Sequence, residues 1–101
     1  MIDVKEAVQS ARNYLMEMVD TGGIDLAPGS AISLEEVELS QDEKFWLVTF
    51  GFDTKRELEY VTNTWNLSPE VTARPKYYRD YKIIKVRAED GKPVSMKIRT
   101  L

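Results

Sequence analysis

Two carboxylates, Glu36 and Glu38, are the side chains whose spacing best suits acid–base chemistry in this sequence. Residues two apart on a β-strand point to the same side, so both could reach one substrate. Glycosidases use a pair of carboxylates in this way, as acid and base. A strand face that is solvated or salt-paired has the same pattern and is far more common. We therefore predict a non-enzymatic protein without catalytic residues.

The residue types that are missing from the chain exclude most other catalytic routes. The 101 residues include no histidine and no cysteine. Without imidazole there is no Ser-His-Asp or Cys-His arrangement and no side chain whose unperturbed pKa lies near neutrality. Without thiolates there is neither a zinc–thiolate site nor an iron–sulfur cluster. Most hydrolase mechanisms are therefore closed to this chain.

Acidic residues also lie in two predicted turns, at Asp42-Glu43 and at Glu89-Asp90. A dedicated calcium loop alternates its oxygen ligands along the chain, and neither segment has that pattern. Both segments are therefore interpreted as turns. We predict that the protein binds no metal and no cofactor.

Basic residues and tyrosines alternate in residues 74–99, although the whole chain carries a net charge of −3. Residues 1–60 contribute −8 and residues 61–101 contribute +5. Polyanion binding needs a concentrated basic surface. An acidic half packed beside the basic one, with Glu36 and Glu38 facing cations across the sheet, would offset that surface. Nucleic-acid binding through the basic C-terminal hairpin is therefore disfavoured, and we keep it as an alternative function.

The same C-terminal stretch has the period of two that is typical of strands. Lys85 and Arg87 alternate with aliphatic residues, so charged and apolar side chains point to opposite faces. This alternation predicts a half-buried antiparallel hairpin with strands at about 77–88 and 93–100. The positions predicted to face the core are Ile84, Val86, Val94, Met96 and Ile98.

An apolar stripe near the N-terminus predicts a helix over about residues 3–20. Its members lie three or four residues apart and are Val4, Val8, Ala11, Leu15 and Met18. Asp3 is predicted to cap the first turn, with Glu6 completing a capping-box pattern. Thr21-Gly22-Gly23 is predicted to end the helix, because glycine adopts the left-handed conformation at little steric cost.

Two more strands are predicted at about residues 32–40 and 44–53, where the period changes to two. The phase of the first strand shifts at Glu35-Glu36, which predicts a bulge. In the second strand, Phe45 and Leu47 occupy one face. The opposite face, predicted to cover the core, holds Trp46, Val48, Phe50 and Phe52.

Residues 54–75 follow neither period, and they contain two prolines and Trp65. We predict a long connection here, which is uncommon in a compact domain and is often functional. A short helical turn over Lys55–Val61 and a strand extension of uncertain phase are the alternatives.

The order of these elements resembles that of the PepSY and PepSY-like domains. The resemblance rests on Ile32–Asp53 and Tyr81–Arg99, in which Ala88–Val94 takes the place of the family's Asp-Ala-x-Thr-Gly-x-Val turn. The chain departs from that motif at two positions, because Arg87 replaces the aspartate and Asp90 replaces the threonine. The segment 54–75 is longer than is usual in the family.

The resemblance implies an α+β fold that forms one domain over residues 1–101. In this cystatin-like arrangement an N-terminal helix packs on a four-stranded antiparallel sheet. Such domains serve as peptidase-inhibitory, propeptide or other binding modules, and the motif carries no catalytic residues. We therefore expect a small protein-binding, inhibitory or regulatory module.

The predicted binding surface combines the outer face of the sheet with the long connection. Its members are apolar and aromatic residues of the kind that anchor interfaces, with one arginine: Phe45, Leu47, Tyr60, Trp65, Tyr81 and Arg87. The expected occupant is a protein partner or a second copy of the chain in a homodimer. A homodimer with a purely structural role is a further alternative. In the competing interpretation Trp65 folds back and simply covers Phe45 and Leu47.

The first residues lack the basic start and unbroken apolar run of a secretory signal. No segment approaches the roughly 20 apolar residues that span a bilayer. We therefore expect a soluble cytoplasmic protein that does not associate with membranes.

Overall fold

A computed structural model describes residues 1–62 and 71–98 of the chain, with side chains described for residues 1–54 and 78–98. The elements are α1 (Val4–Asp20), β1 (Ser33–Leu39), β2 (Phe45–Thr62), β3 (Val71–Arg87) and β4 (Pro93–Ile98). The strands form one sheet in the order β1-β2-β3-β4, and each neighbouring pair is antiparallel. The predicted α+β architecture of one helix and four antiparallel strands is confirmed.

Helix α1 begins and ends where its sequence signals predict. The Asp3 carboxylate accepts a hydrogen bond from the backbone N–H of Glu6 at 2.8 Å, which satisfies one of the free donors of the first turn. At the other end Gly22 adopts a φ of 82°, and the N–H of Gly23 donates to the carbonyl of Met18 at 2.9 Å. These bonds close the last turn before the chain leaves the helix.

The core lies between α1 and one face of the sheet. The helix contributes Ala7, Ala11 and Leu15, which are fully buried. The sheet contributes alternate residues of the two central strands, all fully buried: Val48, Phe50, Phe52, Ile84 and Val86. Burial of each large apolar side chain is worth about 1.5–3 kcal/mol. The predicted inward row of β2 is therefore confirmed.

Two of the predicted core positions in β4 are wrong. Val94 is 52% exposed and Ile98 is 72% exposed. The register shifts so that Pro93, not Val94, lies opposite Val86, which makes Val94 the extra residue of a bulge. Ile98 pairs with Lys82 near the open end of an edge strand, whereas Met96 does pack against the core.

The segment between α1 and β1 follows the edge of β2 and closes one end of the core. The N–H of Ala27 donates to the carbonyl of Asp53 at 2.8 Å, and Leu26 forms an isolated bridge with Thr54. Ile24 and Ala27 are buried. The helix-covered body of the sheet therefore ends close to Thr54.

Beyond that point the structure contradicts both ends of the long connection predicted over residues 54–75, whereas its middle, residues 63–70, lies outside the described residues. Strand β2 continues to Thr62 and β3 begins at Val71, and the two strands pair throughout. The predicted helical turn over Lys55–Val61 is wrong for the same reason. The pairing was hidden because the register shifts between Lys55 and Glu57, which breaks the alternation along β2.

The backbone register of this segment places residue types of opposite charge across from each other. Glu57 lies opposite Lys76, and Glu59 lies opposite Arg74. Pro75 is tolerated because β4 pairs with β3 only from Lys82 onward, which leaves β3 an edge strand at this level.

The paired backbone of residues 55–62 and 71–77, here called the ribbon, projects from the body. The principal extents of the molecule are 66 × 25 × 17 Å, and its radius of gyration is 18.3 Å. A compact chain of this length would have a radius of gyration of about 13 Å. The molecule is therefore a small helix-covered body with a two-stranded extension.

Candidate functional site

The candidate site is the face of the sheet opposite α1. Successive strand residues point to opposite sides, so the residues between the core positions lie on this second face. Within residues 1–62 and 71–98, α1 is the only helix, and it packs on the first face. We call the second face the open face; its members are Glu36, Glu38, Phe45, Leu47, Thr49, Gly51, Asp53, Arg79, Tyr81, Ile83, Lys85, Arg87, Ser95 and Lys97.

The charge of the open face changes from negative on β1 to positive on β3. Strand β1 presents Glu36 and Glu38, which lie opposite Thr49 and Leu47 of β2. Leu47 in turn lies opposite Lys85 of β3. The glutamates of β1 are therefore not register partners of the cations of β3, because β2 lies between the two strands.

Phe45 and Lys85 form a close contact within this face. The Lys85 Nζ lies 4.0 Å from the centroid of the Phe45 ring. An exposed cation–π contact of this kind contributes about 0.5–1 kcal/mol. Phe45 also lies opposite Arg87, whose Nε is 3.3 Å from Asp90 Oδ1 in the β3–β4 turn. Two cations thus lie beside the same half-buried aromatic ring.

A second cluster lies further along the face, around a glycine. A Cβ atom at Gly51 would lie 2.7 Å from Glu35 Oε1 and 2.8 Å from Arg79 Nη2. The absence of a side chain at Gly51 therefore lets Arg79 Nη2 donate to Glu35 Oε1 at 2.8 Å across β2. Arg79 Nη1 lies 3.6 Å from Asp53 Oδ1, and the guanidinium lies 5.7 Å from the centroid of the Tyr81 ring.

The charge of Arg79 is held by its neighbours. Its pKa is raised above the ordinary value, first by a hydrogen bond with the Tyr81 side chain and then by Glu35 and Asp53. Glu35 reaches this cluster because it is the extra residue of the β1 bulge, where the register shifts between Leu34 and Glu36. The predicted bulge is confirmed, and its consequence is an ion-paired cluster on the open face.

The β1–β2 turn holds the start of β2, and with it Phe45, in place. Ser40 Oγ donates to Asp42 Oδ1 at 2.6 Å, and the N–H of Lys44 donates to the same oxygen at 3.0 Å. These two bonds, in that order, lower the pKa of Asp42. The N–H of Phe45 donates to Ser40 Oγ at 3.1 Å. The Asp42 carboxylate therefore organises the turn.

Two shallow depressions flank Phe45. One, of about 530 Å³, lies on the open face and is lined partly by Glu38, Leu47 and Lys85. The other, of about 400 Å³, lies at the end of the sheet and is lined partly by Met1, Lys44 and Arg87. Phe45 lines both. Among the described residues, no group of three or more acidic side chains could hold a metal ion.

The structure brings together part of the predicted site. Phe45, Leu47 and Arg87 are neighbours on the open face, since Phe45 and Arg87 are directly paired. Tyr81 lies on the same face but opposite Gly51, about 20 Å along the strand from Phe45 at ~3.3 Å per residue. It belongs instead to the Arg79 cluster.

The other two predicted site residues lie partly or wholly beyond the described atoms. Tyr60 is in the ribbon, where its backbone lies opposite Ala73 and its side chain is outside the described residues. Trp65 also lies outside the described residues.

Sequence reasoning missed Ile83, Lys85 and Arg79 as members of this surface. The alternation of β3 contained the signal for all three, because they share the phase of Tyr81 and Arg87. The contact between Glu35 and Arg79 had no comparable signal. It depends on a bulge in β1 and on a glycine in β2 that lie beside each other only in the folded sheet.

Comparisons with known proteins add no further information about this site. No protein-family model, curated protein or solved structure matches this chain. The resemblance to PepSY-like domains therefore stays a prediction. In the described part of the chain, no helix combines the length and apolar character needed to cross a membrane.

Proposed function

We propose that this chain is a small non-enzymatic protein-binding module, inhibitory or regulatory in its effect, whose recognition surface is the open face of the sheet. One observation carries the proposal. Phe45, Leu47 and Ile83 lie on the face opposite α1, where they contribute nothing to the core beneath the helix. Apolar residues bordered by charges of both signs are typical of a surface that binds protein.

The geometry around Phe45 supports its role as the anchor of this surface. Its ring is half-buried and lies between two depressions that a partner's side chains can enter. Thr49, at the centre of the face, is only 4% exposed. A surface that is ordered before binding loses less conformational entropy on association.

The arrangement of cations favours a protein over a polyanion. Arg79 is paired with Glu35 and Asp53, and Arg87 lies beside Asp90. The β1 edge of the same face is acidic. Because these two arginines are already paired, they release few counterions on binding nucleic acid, so little affinity is expected from them.

The position of the acidic pair supports a non-enzymatic role. Glu36 and Glu38 are exposed on β1, opposite Thr49 and Leu47. Glu38 lines a shallow, open depression. Acid–base catalysis needs both groups directed at one enclosed substrate, and this geometry does not favour that arrangement.

The proposal is tested by capture with the tagged chain followed by identification and purification of the captured protein. The double variant Phe45→Ser/Leu47→Ser should abolish binding of the purified partner. Met16→Ser, at an exposed helix position on the other side of the molecule, should leave binding unchanged. Circular dichroism melting of all three proteins controls for loss of folding.

Two results would contradict the proposal. The first is equal affinity of the folded double variant and the native chain for the same partner. The second is binding of labelled single-stranded or duplex oligonucleotides, followed by fluorescence polarisation, that weakens steeply with salt. The second result would favour the nucleic-acid alternative.

A further inference from the structure

The open face is complementary to itself. Its rows run in the order acidic, apolar and basic, on β1, β2 and β3. At one level of the sheet, Glu38 lies opposite Leu47 and Leu47 lies opposite Lys85. A twofold axis parallel to β2 superposes the apolar row on its own copy. The same axis places the acidic row of each copy over the basic row of the other.

We infer that the occupant of the open face is a second copy of this chain, packed face to face about a twofold axis that runs along β2. The inference rests on the proposed function, because it requires that the open face binds protein. Leu47 then meets the partner's Leu47, and Phe45 meets the partner's Phe45. Glu38 lies over the partner's Lys85, and symmetry makes this contact twice.

The charge pattern also selects the relative direction of the two copies. A twofold axis across the strands would place β1 over the partner's β1, with Glu36 and Glu38 against the same two residues. Like charges opposed across an interface are strongly unfavourable. Only the arrangement with parallel molecules matches opposite charges, and it lets the two ribbons project in the same direction. Face-packed sheets normally keep their strands within about 30° of each other, which this arrangement satisfies.

The projected area of the body face limits the size of the inferred interface. Four strands spaced at ~4.8 Å, over about seven residues at ~3.3 Å each, give on the order of 450 Å² of projected area. A standard interface buries about 800 Å² on each partner. We therefore expect a weak dimer that dissociates on dilution.

Sedimentation equilibrium of the full chain tests the inference directly. The native chain should sediment at twice its mass of 11.6 kDa in a concentration-dependent manner. Leu47→Lys should sediment as a monomer, because it places two ammonium groups against each other at the axis. Met16→Lys should remain dimeric. A native chain that stays monomeric up to its solubility limit overturns the inference.

A charge exchange tests the predicted orientation. Glu38→Lys and Lys85→Glu should each weaken dimerisation at least tenfold, because each opposes like charges twice across the axis. The double variant Glu38→Lys/Lys85→Glu should restore the native affinity, because the acidic and the basic residue have then only exchanged strands. Dimerisation that is equally weak in the double exchange overturns the orientation.

The absence of cysteine from the chain allows a second measurement that does not depend on the stability of the variants. Leu47→Cys should be crosslinked to a dimer by a short bis-maleimide, because sheets packed face to face about 10 Å apart place the two thiols within reach of such a linker at the axis. Met16→Cys should stay monomeric under the same conditions. Equal crosslinking of the two variants would show that the contact is not at the open face.

These outcomes separate the inference from the proposed function. If the chain is monomeric but Phe45→Ser/Leu47→Ser loses a purified partner, the open face binds a different protein and only the inference fails. If neither self-association nor partner binding responds to these two substitutions, both fail.

Discussion

The two faces of the sheet are built from the same strands but differ in what covers them. On the inner face Val48, Phe50 and Ile84 are fully buried under α1. On the open face Leu47 and Ile83 are only half-buried and are flanked by charges. One helix covers one face, so apolar residues on the other face are available for recognition. Alternation in a strand therefore identifies two faces, but the position of the helix decides which of them is the core.

The largest predicted effect is the difference in the free energy of unfolding between substitutions on the two faces. Phe50→Ala removes a fully buried ring from the core and should lower the free energy of unfolding by about 3–5 kcal/mol. Leu47→Ala should cost about 1 kcal/mol, because it leaves no buried cavity. Urea denaturation of both variants measures the difference. Equal losses would mean that the open face is covered as deeply as the inner one.

A smaller effect is expected where α1 begins. Asp3→Ala removes the acceptor for the Glu6 N–H and should lower the free energy of unfolding by about 1 kcal/mol. Asp3→Asn, which keeps an acceptor, should lose much less. Both are measured by thermal or urea unfolding. The cap belongs to α1, which packs on the inner face, so self-association of the folded protein should not change. Weaker dimerisation of Asp3→Ala would contradict the separation of the two faces.

Gly51→Ala should act on the open face alone. The new Cβ displaces the ends of Glu35 and Arg79, which are flexible, so the change in stability should stay within about 0.5 kcal/mol. In a double-mutant cycle, Glu35→Gln should then have no further effect, since the ion pair is already broken. Denaturant midpoints of the four proteins give the coupling. Strict additivity would show that the pair survives the alanine.

The smallest effect concerns pH and the turn before Phe45. The folded pKa of Asp42 lies below the ordinary value of 3.8. Its contribution to stability is therefore complete above that value and is lost as the pH falls through the folded pKa. Urea midpoints below pH 4 should fall less steeply for Asp42→Asn and for Ser40→Ala than for the native chain. Parallel curves for all three proteins would exclude Asp42 from the acid transition.

Local sequence patterns predicted the elements of the body well. The cap at Asp3, the helix end at Gly22-Gly23 and the inward row of β2 follow from interactions within a few residues, so their signals are complete in the sequence. The apolar residues of the candidate site were predicted in the same way, because Phe45 and Leu47 alternate with the core residues of β2 and therefore lie on the opposite face.

The sequence by itself thus determined the helix, the alternation of apolar and polar side chains along the strands, and the difference in charge between the two halves of the chain. Only the tertiary structure decided that β2 and β3 pair far beyond the body, that Val94 lies in a bulge, and that Gly51 lets Glu35 reach Arg79. Each of these depends on which strands are neighbours and in what register. Register is set by contacts between residues distant in the chain, and no local period records it.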